Sequence, residues 1–276
     1  MTGLKKMSSL DVGKIRQGLS AKTTDRLDEL EVFGSIASTN TYLIAQAPPS
    51  AERLRVAIAD HQTSGRGRHY RRWVSPPGAG LYMSIAYTFE QQPDQLPSLT
   101  LATGVGVIDA LAALGIGGVT LKWPNDVVAL DGKLGGILTE IQSRPTDGVT
   151  VVTGIGINLA FPADAEASIE SDWAARTVDL SKLCDTVPDR SEIAAVMLDH
   201  VHDVMRKFAA FGFTTFAQHW AKYDWLLERE VIVDQSDKQI LGVAAGVDQD
   251  GALLVDTDNG QTRIVSGSVM VAGLAA

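Results

Sequence analysis

Residues 122–138 read KWPNDVVALDGKLGGIL, and this stretch decides how the chain is interpreted. Two apolar runs flank the pair Asp131-Gly132, and an Asp-Gly pair in that setting predicts a β-hairpin. If this pair forms a two-residue loop, Leu130 faces Lys133, and the period of two puts Asp126 on the same sheet face as Lys133. The stretch therefore predicts a lysine beside a carboxylate, next to two glycines on which a bulky ligand could lie. An ordinary hairpin with a surface ion pair has the same spacing.

A second segment, residues 65–73, reads GRGRHYRRW and is strongly basic in a chain whose formal net charge is −9. Its four arginines lie within seven residues, and guanidinium groups bind phosphate and carboxylate oxygens well. The interleaved glycines let the backbone approach a ligand closely, and Trp73 offers a flat face for a purine. We predict a loop that is mobile on its own and closes on a polyanion such as a nucleotide. A solvated basic loop or a small nucleic-acid patch is the alternative.

Residues 154–158, GIGIN, form the third candidate segment. A strand with two glycines and a terminal Asn158 lets a ligand lie against its backbone, although a bulge in a core strand has the same pattern. The segment is not a dinucleotide-binding fingerprint, because no third glycine follows at the required spacing. Residues 132–134 do not form a P-loop either, since no Ser or Thr follows Lys133. Nucleotide binding would therefore need a different arrangement.

The composition of the 276-residue chain argues against several protein classes. Apolar residues make up 45% and charged residues 21%, which suits folded domains and not a disordered acidic chain. The net charge of −9 argues against general nucleic-acid binding. The single cysteine, Cys184, cannot form an internal disulfide, and apolar stretches are interrupted well before ~18 residues. We therefore expect a cytoplasmic protein without a signal peptide or membrane span.

The apolar pattern predicts alternating strands and helices followed by a small β-rich domain. The predicted strands are 54–59, 81–89, 119–123, 127–130, 134–141 and 149–159, and the predicted helices start at Ser38 and cover 97–114, 191–208 and 213–226. Beyond residue 231, short strands with turns at Ser236-Asp237, Asp250-Gly251 and Asn259-Gly260 predict a barrel. We divide the chain into an N-terminal extension (1–30), a main domain (31–227) and a C-terminal domain (228–276). His200, His202 and Cys184 lack the surroundings of a metal or nucleophile site.

Taken together, these segments resemble the biotin–protein ligase family. The matching motifs follow one another along residues 33–160: Ser38-Thr39-Asn40, Gln62, Gly65–Arg68 with Trp73, Ser75-Pro76, Leu81–Ser84, Lys122–Asp126, Lys133–Leu138 and Gly154–Leu159. Each motif alone is modest, whereas their order and spacing together are specific. The resemblance implies an α+β fold, with an antiparallel-rich catalytic domain akin to class II aminoacyl-tRNA synthetases and lipoate ligases, followed by an SH3-like β-barrel.

The resemblance also implies roles for individual residues. Those implied to bind biotin are Ser38, Thr39, Asn40, Gln62, Gly65, Arg66, Arg68 and Lys133. Those implied to bind the nucleotide are Arg68, Arg71, Trp73, Lys133 and Asn158. The implied catalytic residues are Lys133, Arg68, Asp126 and Lys122. Mg²⁺ is an expected cofactor, and no dedicated metal-ligating residues are predicted.

By resemblance, the chain would activate biotin with ATP, forming biotinoyl-5′-AMP, and transfer biotin to a lysine of a biotin carboxyl carrier domain. Relatives that repress transcription carry an N-terminal winged helix, and residues 1–30 are too short for one, so no DNA binding is expected. A homodimer is one expected assembly. Many relatives have an arginine near the end of the barrel, where this chain has Val269-Met270-Val271-Ala272. The alternatives are a lipoate ligase or octanoyltransferase of the same superfamily, and a small nucleic-acid-binding regulator.

Overall fold

The computed structural model describes residues 9–143, 148–161, 177–235 and 238–273. Its N-terminal part contains two short helices, α1 (Val12–Gly18) and α2 (Ala21–Arg26). Asp11 and Ser20 cap these helices by accepting hydrogen bonds from backbone N–H groups of the first turn. Strand β1 (Leu27–Phe33) follows directly, and it extends across the boundary predicted at residue 30.

A seven-stranded sheet forms the centre of the main domain. After β1 its strands are, in chain order, β2 (Leu54–Ala59), β3 (Gly80–Phe89), β4 (Val119–Lys122), β5 (Asp126–Ala129), β6 (Gly132–Ser143) and β7 (Val149–Asn158). Their order across the sheet is β1-β2-β3-β7-β6-β5-β4. Only the β1–β2 pair is parallel, and the other neighbouring pairs are antiparallel. The expected antiparallel-rich α+β fold is therefore confirmed.

Helices cover the two faces of this sheet unequally. Helix α3 (Thr39–Ala45) packs on one face, over β2, β3 and β7. The opposite face is covered by α4 (Leu99–Ala113), α5 (Arg190–Phe211) and α6 (Thr214–Tyr223). Because side chains of a strand alternate between faces, β3 sends Ile85 into the large core under α4 and α5 and Ala86 into the small cluster under α3. The short α3 leaves part of its face open, and the candidate site lies there.

Helix α4 is apolar on all sides. With the preceding turn it forms Leu96–Ala113, the only segment among the described helices whose length and composition would suit a membrane span. Most of its residues are buried between the sheet and α5, and Thr103 returns its hydroxyl to the backbone oxygen of Leu99. A helix that is apolar all round is expected at the centre of a core.

The hairpin between β5 and β6 has the predicted strands but a different loop. Leu130 and Asp131 both have positive φ angles, of 49° and 54°, and form the two-residue turn. Gly132 belongs to β6 and pairs with Ala129, so the predicted Asp131-Gly132 loop is wrong by one residue. The partner of Lys133 is Val128 and not Leu130. The pairing register of β5 with β6 therefore differs from the predicted one by two residues. Because two is an even number, Asp126 still lies on the same sheet face as Lys133.

The C-terminal domain is an open antiparallel sheet. Its strands are β8 (Glu230–Gln235), β9 (Lys238–Val247), β10 (Leu253–Thr257), β11 (Gly260–Ile264) and β12 (Ser268–Val271), in the order β11-β10-β9-β8-β12. Within residues 230–235 and 238–271 no pairing joins β11 to β12, so the predicted closed barrel is corrected to an open sheet. The Asn259-Gly260 turn lies one residue earlier, because Gly260 pairs with Thr257. The turn at Ser236-Asp237 lies outside the described residues.

Polar contacts between described residues join the two domains at three places. Trp123 Nε1 donates to the carbonyl of Gly251 at 3.0 Å. Gln95 Nε2 donates to Asp250 Oδ1 at 2.8 Å. Arg229 Nη2, at the start of the C-terminal domain, donates to Asp131 Oδ1 in the turn of the β5–β6 hairpin at 3.4 Å. These contacts hold the small domain beside the β5–β6 hairpin.

Candidate active site

A cavity of about 240 Å³ lies on the partly open face of the main sheet. Its floor is formed by β3, β6 and β7, and one wall by the start of α3. The basic segment 65–73, called the flap below, covers it, and residues 267–270 of the C-terminal domain line its rim. Every predicted site residue except Gly65 lines this cavity. The tertiary structure therefore brings together motifs that are spread over more than a hundred residues of sequence.

A network of neutral polar groups occupies the end of the cavity next to α3. Gln62 Oε1 accepts hydrogen bonds from the backbone N–H of Thr39 at 2.9 Å and from its hydroxyl at 3.2 Å. Gln62 Nε2 donates to Ser75 Oγ at 3.2 Å. Ser38 caps α3 through a bond from the N–H of Thr41 and is buried. Such amide and hydroxyl groups suit a ligand that presents urea-like donors and acceptors.

Ser84 and Asn40 continue this network into the sheet. Ser84 Oγ lies 2.7 Å from Thr39 Oγ1 and donates to Asn40 Oδ1 at 2.6 Å. Asn40 Nδ2 donates to the carbonyl of Leu138 at 3.2 Å and to Glu140 Oε2 at 3.0 Å. Both amide hydrogens of Asn40 are thus used within the protein. Asn40, predicted to contact the ligand, shapes the wall of the cavity in this structure.

Three cationic side chains surround one carboxylate at the other end of the cavity. Asp126 Oδ1 lies 2.7 Å from Lys133 Nζ, and Asp126 Oδ2 lies 3.8 Å from Lys122 Nζ. Burial lowers the pKa of Lys122 to about 8, against the opposing attraction of Asp126. Burial also lowers the pKa of Arg68, whose Nη1 donates to Asn125 Oδ1 at 3.4 Å. This end is positively charged overall and suits a phosphate or carboxylate ligand.

Glycines keep the floor of the cavity open. A Cβ atom on Gly154 would lie 2.2 Å from Asn40 Oδ1, and one on Gly156 would lie 2.7 Å from the ring of Trp73. The Trp73 ring therefore rests almost directly on the backbone of β7. Its Nε1 is buried and has no hydrogen-bond partner among the described residues. The indole N–H is therefore available to donate a hydrogen bond to a ligand in the cavity.

The flap folds back on itself as a small hairpin. Trp73 N donates to the carbonyl of Gly65 at 2.9 Å, and Gly67 N donates to the carbonyl of Arg71 at 2.8 Å. A Cβ on Gly65 would lie 2.4 Å from the carbonyl oxygen of Trp73, so a side chain there would break this contact. Arg71 and Arg72 are exposed at the rim, while Arg66 and Arg68 turn inward. The described form covers the cavity.

Asn158, at the end of β7, is buried at the edge of the cavity. Its Nδ2 donates to the carbonyl of Lys133 at 3.2 Å and to the carbonyl of Val178 at 3.0 Å. Its two amide hydrogens are therefore used to hold the backbone at Lys133 and at Val178. A nucleotide could still contact its oxygen or its flat face.

Sequence reasoning left four parts of this site unassigned. Ser84 and Glu140 belong to the polar network, Asn125 contacts Arg68, and residues 267–270 line the rim. The period of two along β6, which places Gly136, Leu138 and Glu140 on one face, was the available signal for Glu140. The pairing of β3 with β7 was needed to find Ser84.

The described residues contain no group of three or more His, Cys, Asp or Glu side chains placed to hold a metal ion. The donor set at the charged end is Asp126 with the amide oxygen of Asn125 nearby. Such a set fits an Mg²⁺ ion carried mainly by nucleotide phosphates and water, which needs only one or two protein oxygens.

Two family models match the chain. The biotin/lipoate A/B protein ligase family matches residues 32–158, which contain the sheet floor, the flap and the charged hairpin. The biotin protein ligase C-terminal domain matches residues 226–271, which contain the open sheet.

Individual relatives agree with these matches. The bifunctional ligase/repressor BirA of Salmonella typhimurium is 35% identical over 82% of this chain and 69% of its own length. The biotin–[acetyl-CoA-carboxylase] ligase of Mycobacterium tuberculosis is 32% identical over 88% of each chain. The structure resembles that of the biotin protein ligase from Aquifex aeolicus in complex with biotin and ATP, with a TM-score of 0.73 and 28% identity over 88% of this chain and 98% of that one. This chain therefore belongs to the biotin protein ligase family.

Proposed function

We propose that this chain activates biotin with ATP to biotinoyl-5′-AMP and transfers biotin to a lysine of a biotin carboxyl carrier domain. The carrying observation is one cavity that joins a neutral polar end at Thr39 and Gln62 to a cationic end at Lys133 and Arg68. Biotin has a neutral ureido ring and a charged carboxylate, and ATP brings phosphates. The cavity presents matching groups in the same order. The names of the relatives support the same activity.

We place the ureido ring of biotin against Ser38, Thr39 and Gln62. Their hydroxyl, amide and backbone groups line the cavity next to α3, where hydrogen bonds to them would replace those that the ureido ring loses on leaving water. The backbone at Gly65 and Arg66 would add contacts from the flap. The carboxylate of biotin then points along the floor toward Lys133.

The nucleotide occupies the other end in this proposal. Arg68 and Lys133 would hold the α-phosphate, Arg71 at the rim would face the outer phosphates, and Trp73 would stack on adenine beside Asn158. Lys133 Nζ lies 5.7 Å from the centre of the Trp73 ring, so a phosphate near the lysine and a base near the ring fit the spacing within one nucleotide.

The chemistry follows from charge placement. A biotin carboxylate oxygen attacks the α-phosphorus of ATP, a new P–O bond forms, and pyrophosphate leaves with the electrons of the broken bond. Two anions must approach each other, so fixed cations at Lys133, Arg68 and Lys122 stabilise the transition state. In the second step an acceptor lysine amine attacks the anhydride carbonyl, an amide forms, and AMP leaves after the amine has lost a proton.

Mg²⁺ is proposed as a cofactor of the first step, where it would neutralise phosphate charge. Asp126 and Asn125 are the residues that would hold it, with the remaining ligands from phosphates and water. Asp126 also keeps Lys133 and Lys122 near the reacting phosphate through its two oxygens.

An octanoyltransferase is disfavoured by the surroundings of Cys184. Its thiol donates to the carbonyl of Leu180 at 3.3 Å, it does not line the cavity, and burial raises its pKa. A nucleophilic cysteine needs the opposite shift. A lipoate ligase uses the same phosphate chemistry, but a dithiolane ring offers no urea group to Thr39 and Gln62.

The test is to supply the purified chain with MgATP and either biotin or lipoate. We expect pyrophosphate release and a mixed anhydride, seen by mass spectrometry, with biotin and not with lipoate. Addition of a carrier domain should then move the biotin to its lysine. Pyrophosphate release with lipoate alone would assign the chain to the other branch of the superfamily.

Three broader features belong to the same proposal. The acceptor is a carrier domain of a biotin-dependent carboxylase. The protein is placed in the cytoplasm. The boundary between the catalytic and C-terminal domains is placed near residue 227. Homodimer formation is tested by sedimentation with and without biotin and ATP. DNA binding, which we do not expect from a chain of net charge −9, is tested by a duplex shift at low salt.

A further inference from the structure

We propose that Glu140 is a positioning residue that locks the flap against helix α3 and so keeps the reaction intermediate in the cavity. This inference rests on the proposed function. Glu140 lies in the middle of β6 and uses its two oxygens on two different elements. Oε1 accepts from Arg66 Nη2 of the flap at 2.7 Å, and Oε2 accepts from Asn40 Nδ2 of α3 at 3.0 Å.

The contact of Glu140 with Arg66 is shorter than two other polar contacts between the flap and the rest of the protein. Arg66 Nη1 donates to Thr41 Oγ1 at 3.3 Å, and Arg68 Nη1 donates to Asn125 Oδ1 at 3.4 Å. The Arg66–Glu140 pair also places a negative charge from β6 beside the flap, whose four arginines repel one another. One carboxylate therefore relieves part of the repulsion that would otherwise open the flap.

The solvent exposure of the Arg66–Glu140 pair determines how strongly the pair stabilises the closed flap. A fully exposed ion pair contributes little, because water and salt screen it. Here the side chains are 36% and 23% exposed, and Asn40 already fixes the carboxylate in place. Less conformational freedom is lost when Arg66 binds a carboxylate that is held beforehand, and charged hydrogen bonds of this kind are stronger than neutral ones. The pair is thus suited to a closure that can still reopen.

Retention is the chemical need that this pair would meet. A mixed anhydride is hydrolysed by water, so the enzyme must keep it covered until the acceptor lysine arrives. Glu140 does not touch the reacting atoms in this scheme. It acts through Arg66, and through Asn40 it joins flap closure to the wall of the biotin end.

The first test uses trypsin on the protein without substrates, since trypsin cleaves after arginine and the flap contains four. Glu140→Gln keeps an oxygen for Asn40 and removes the charge that binds Arg66. We expect cleavage in the flap to become about tenfold faster, the scale of one charged hydrogen bond. The matched control is Glu31→Gln, because Glu31 also accepts from α3, from Tyr42 at 2.6 Å, whereas it is Glu140 that binds Arg66 of the flap. Equal cleavage of wild type and Glu140→Gln would overturn the proposal.

The second test measures dissociation of biotinoyl-AMP after a single turnover. Glu140→Gln should release it about tenfold faster, whereas Glu31→Gln should release it at the wild-type rate. Arg66→Gln should also speed release, and the double variant should release no faster than the faster single variant. Additive effects would show that the two side chains act separately and would overturn the proposal. If trypsin separates the variants but wild type forms no adenylate, the lock stands and the proposed function fails.

Discussion

At the scale of single residues, the two lysines beside Asp126 have different surroundings. The Lys133 side chain is 27% exposed and reaches into the cavity, whereas the Lys122 side chain is 2% exposed. A phosphate in the cavity can therefore reach Lys133 directly, while Lys122 supplies a positive charge from behind Asp126. This difference makes Lys133 the better candidate for contact with the reacting atoms.

We predict that Lys133→Ala lowers the rate of adenylate formation by about 100-fold, the usual effect of losing one preorganised charge in a transition state. Folding should be unaffected, because Asp126 keeps Lys122 as a partner. Pyrophosphate release and thermal melting are the two measurements. Lys207→Ala is the control, since Lys207 makes an equally short 2.7 Å contact with Asp203 on the outside of α5. A Lys133→Ala enzyme as fast as that control would remove Lys133 from the mechanism.

His202 is a buried residue that affects stability and not the proposed chemistry. Its Nδ1 lies 3.1 Å from Thr23 Oγ1, its Nε2 has no partner among the described residues, and burial lowers its pKa from 6.5 to about 4. Between pH 6.5 and about pH 4, His202 is protonated in the unfolded chain and neutral in the folded chain. The stability that neutral His202 confers is therefore complete above pH 6.5 and is lost as the pH falls toward 4.

We predict that the free energy of unfolding falls by about 2–3 kcal/mol more between pH 7 and pH 4.5 in wild type than in His202→Gln. Comparing the two proteins cancels the contributions of other groups to the pH dependence. One such group is Asp224, whose pKa is raised to about 6 and whose effect on stability has the opposite sign. Urea unfolding at the two pH values provides the measurement, and His200→Gln on the same helix is the control. Parallel pH profiles for wild type and His202→Gln would contradict the assignment.

At the scale of elements, two glycines of strand β7, two residues apart, lie beneath the two ends of the cavity. Gly154 lies under Asn40, at the polar end, and Gly156 lies under the Trp73 ring, at the nucleotide end. A methyl group at either position would be too close to its neighbour, and the neighbours belong to different ligand halves in our proposal. The two glycines therefore offer a matched pair of substitutions on one strand.

We predict that Gly154→Ala raises the KM for biotin about tenfold and that Gly156→Ala raises the KM for ATP about tenfold, with smaller effects on the other substrate. The physical reason is displacement of Asn40 in the first variant and of Trp73 in the second. Steady-state kinetics with each substrate varied in turn would measure both values. If both variants raised the same KM, the assignment of the two ends would be wrong.

The turns of the hairpins show the limit of local patterns. The Asp-Gly and Asn-Gly pairs predicted the β5–β6 and β10–β11 hairpins, but in both the glycine joined the following strand. The positive φ angles of the first turn fall on Leu130 and Asp131. Asp131 accepts hydrogen bonds from Trp225 and Arg229 there, so distant contacts favour the shifted loop over the local preference.

At the scale of the whole molecule, that same turn is where the β5–β6 hairpin contacts the start of the C-terminal domain. Arg229 stacks over the Trp225 ring at 4.2 Å and lies 3.4 Å from Asp131. Trp225 is 7% exposed, so its indole N–H needs this acceptor. This joint holds residues 267–270 at the rim of the cavity. Asp131, which belongs to the joint, lies only two residues before Lys133 in the sequence.

We predict that Asp131→Ala lowers the melting temperature by about 2–4 °C, because a buried indole N–H left without an acceptor costs about 1 kcal/mol. Asp131→Asn should restore most of this loss, since asparagine keeps an oxygen for Trp225 and tolerates the positive φ angle. Differential scanning calorimetry of the three proteins would decide. A full loss in Asp131→Asn would mean that the charge facing Arg229, and not the hydrogen bond, holds the joint.

The sequence by itself predicted the strands of the main sheet other than β1, the helices that cover that sheet and the motifs that form the cavity. These follow from local rules, such as apolar period, turn residues and the clustering of arginines in an acidic chain. It also determined that Asp126 and Lys133 share a face, because an even shift in register leaves the period of two intact.

The tertiary structure alone decided which distant side chains meet. Ser84 reaches Asn40 because α3 packs on β3, and Asn40 reaches Glu140, a hundred residues away, because β7 and β6 follow β3 in the sheet. It also decided that Asn40 and Asn158 spend their amide hydrogens inside the protein and that the C-terminal sheet stays open. Such contacts depend on the order in which strands pair, and that order comes from packing the whole core at once, which no local stretch of sequence encodes.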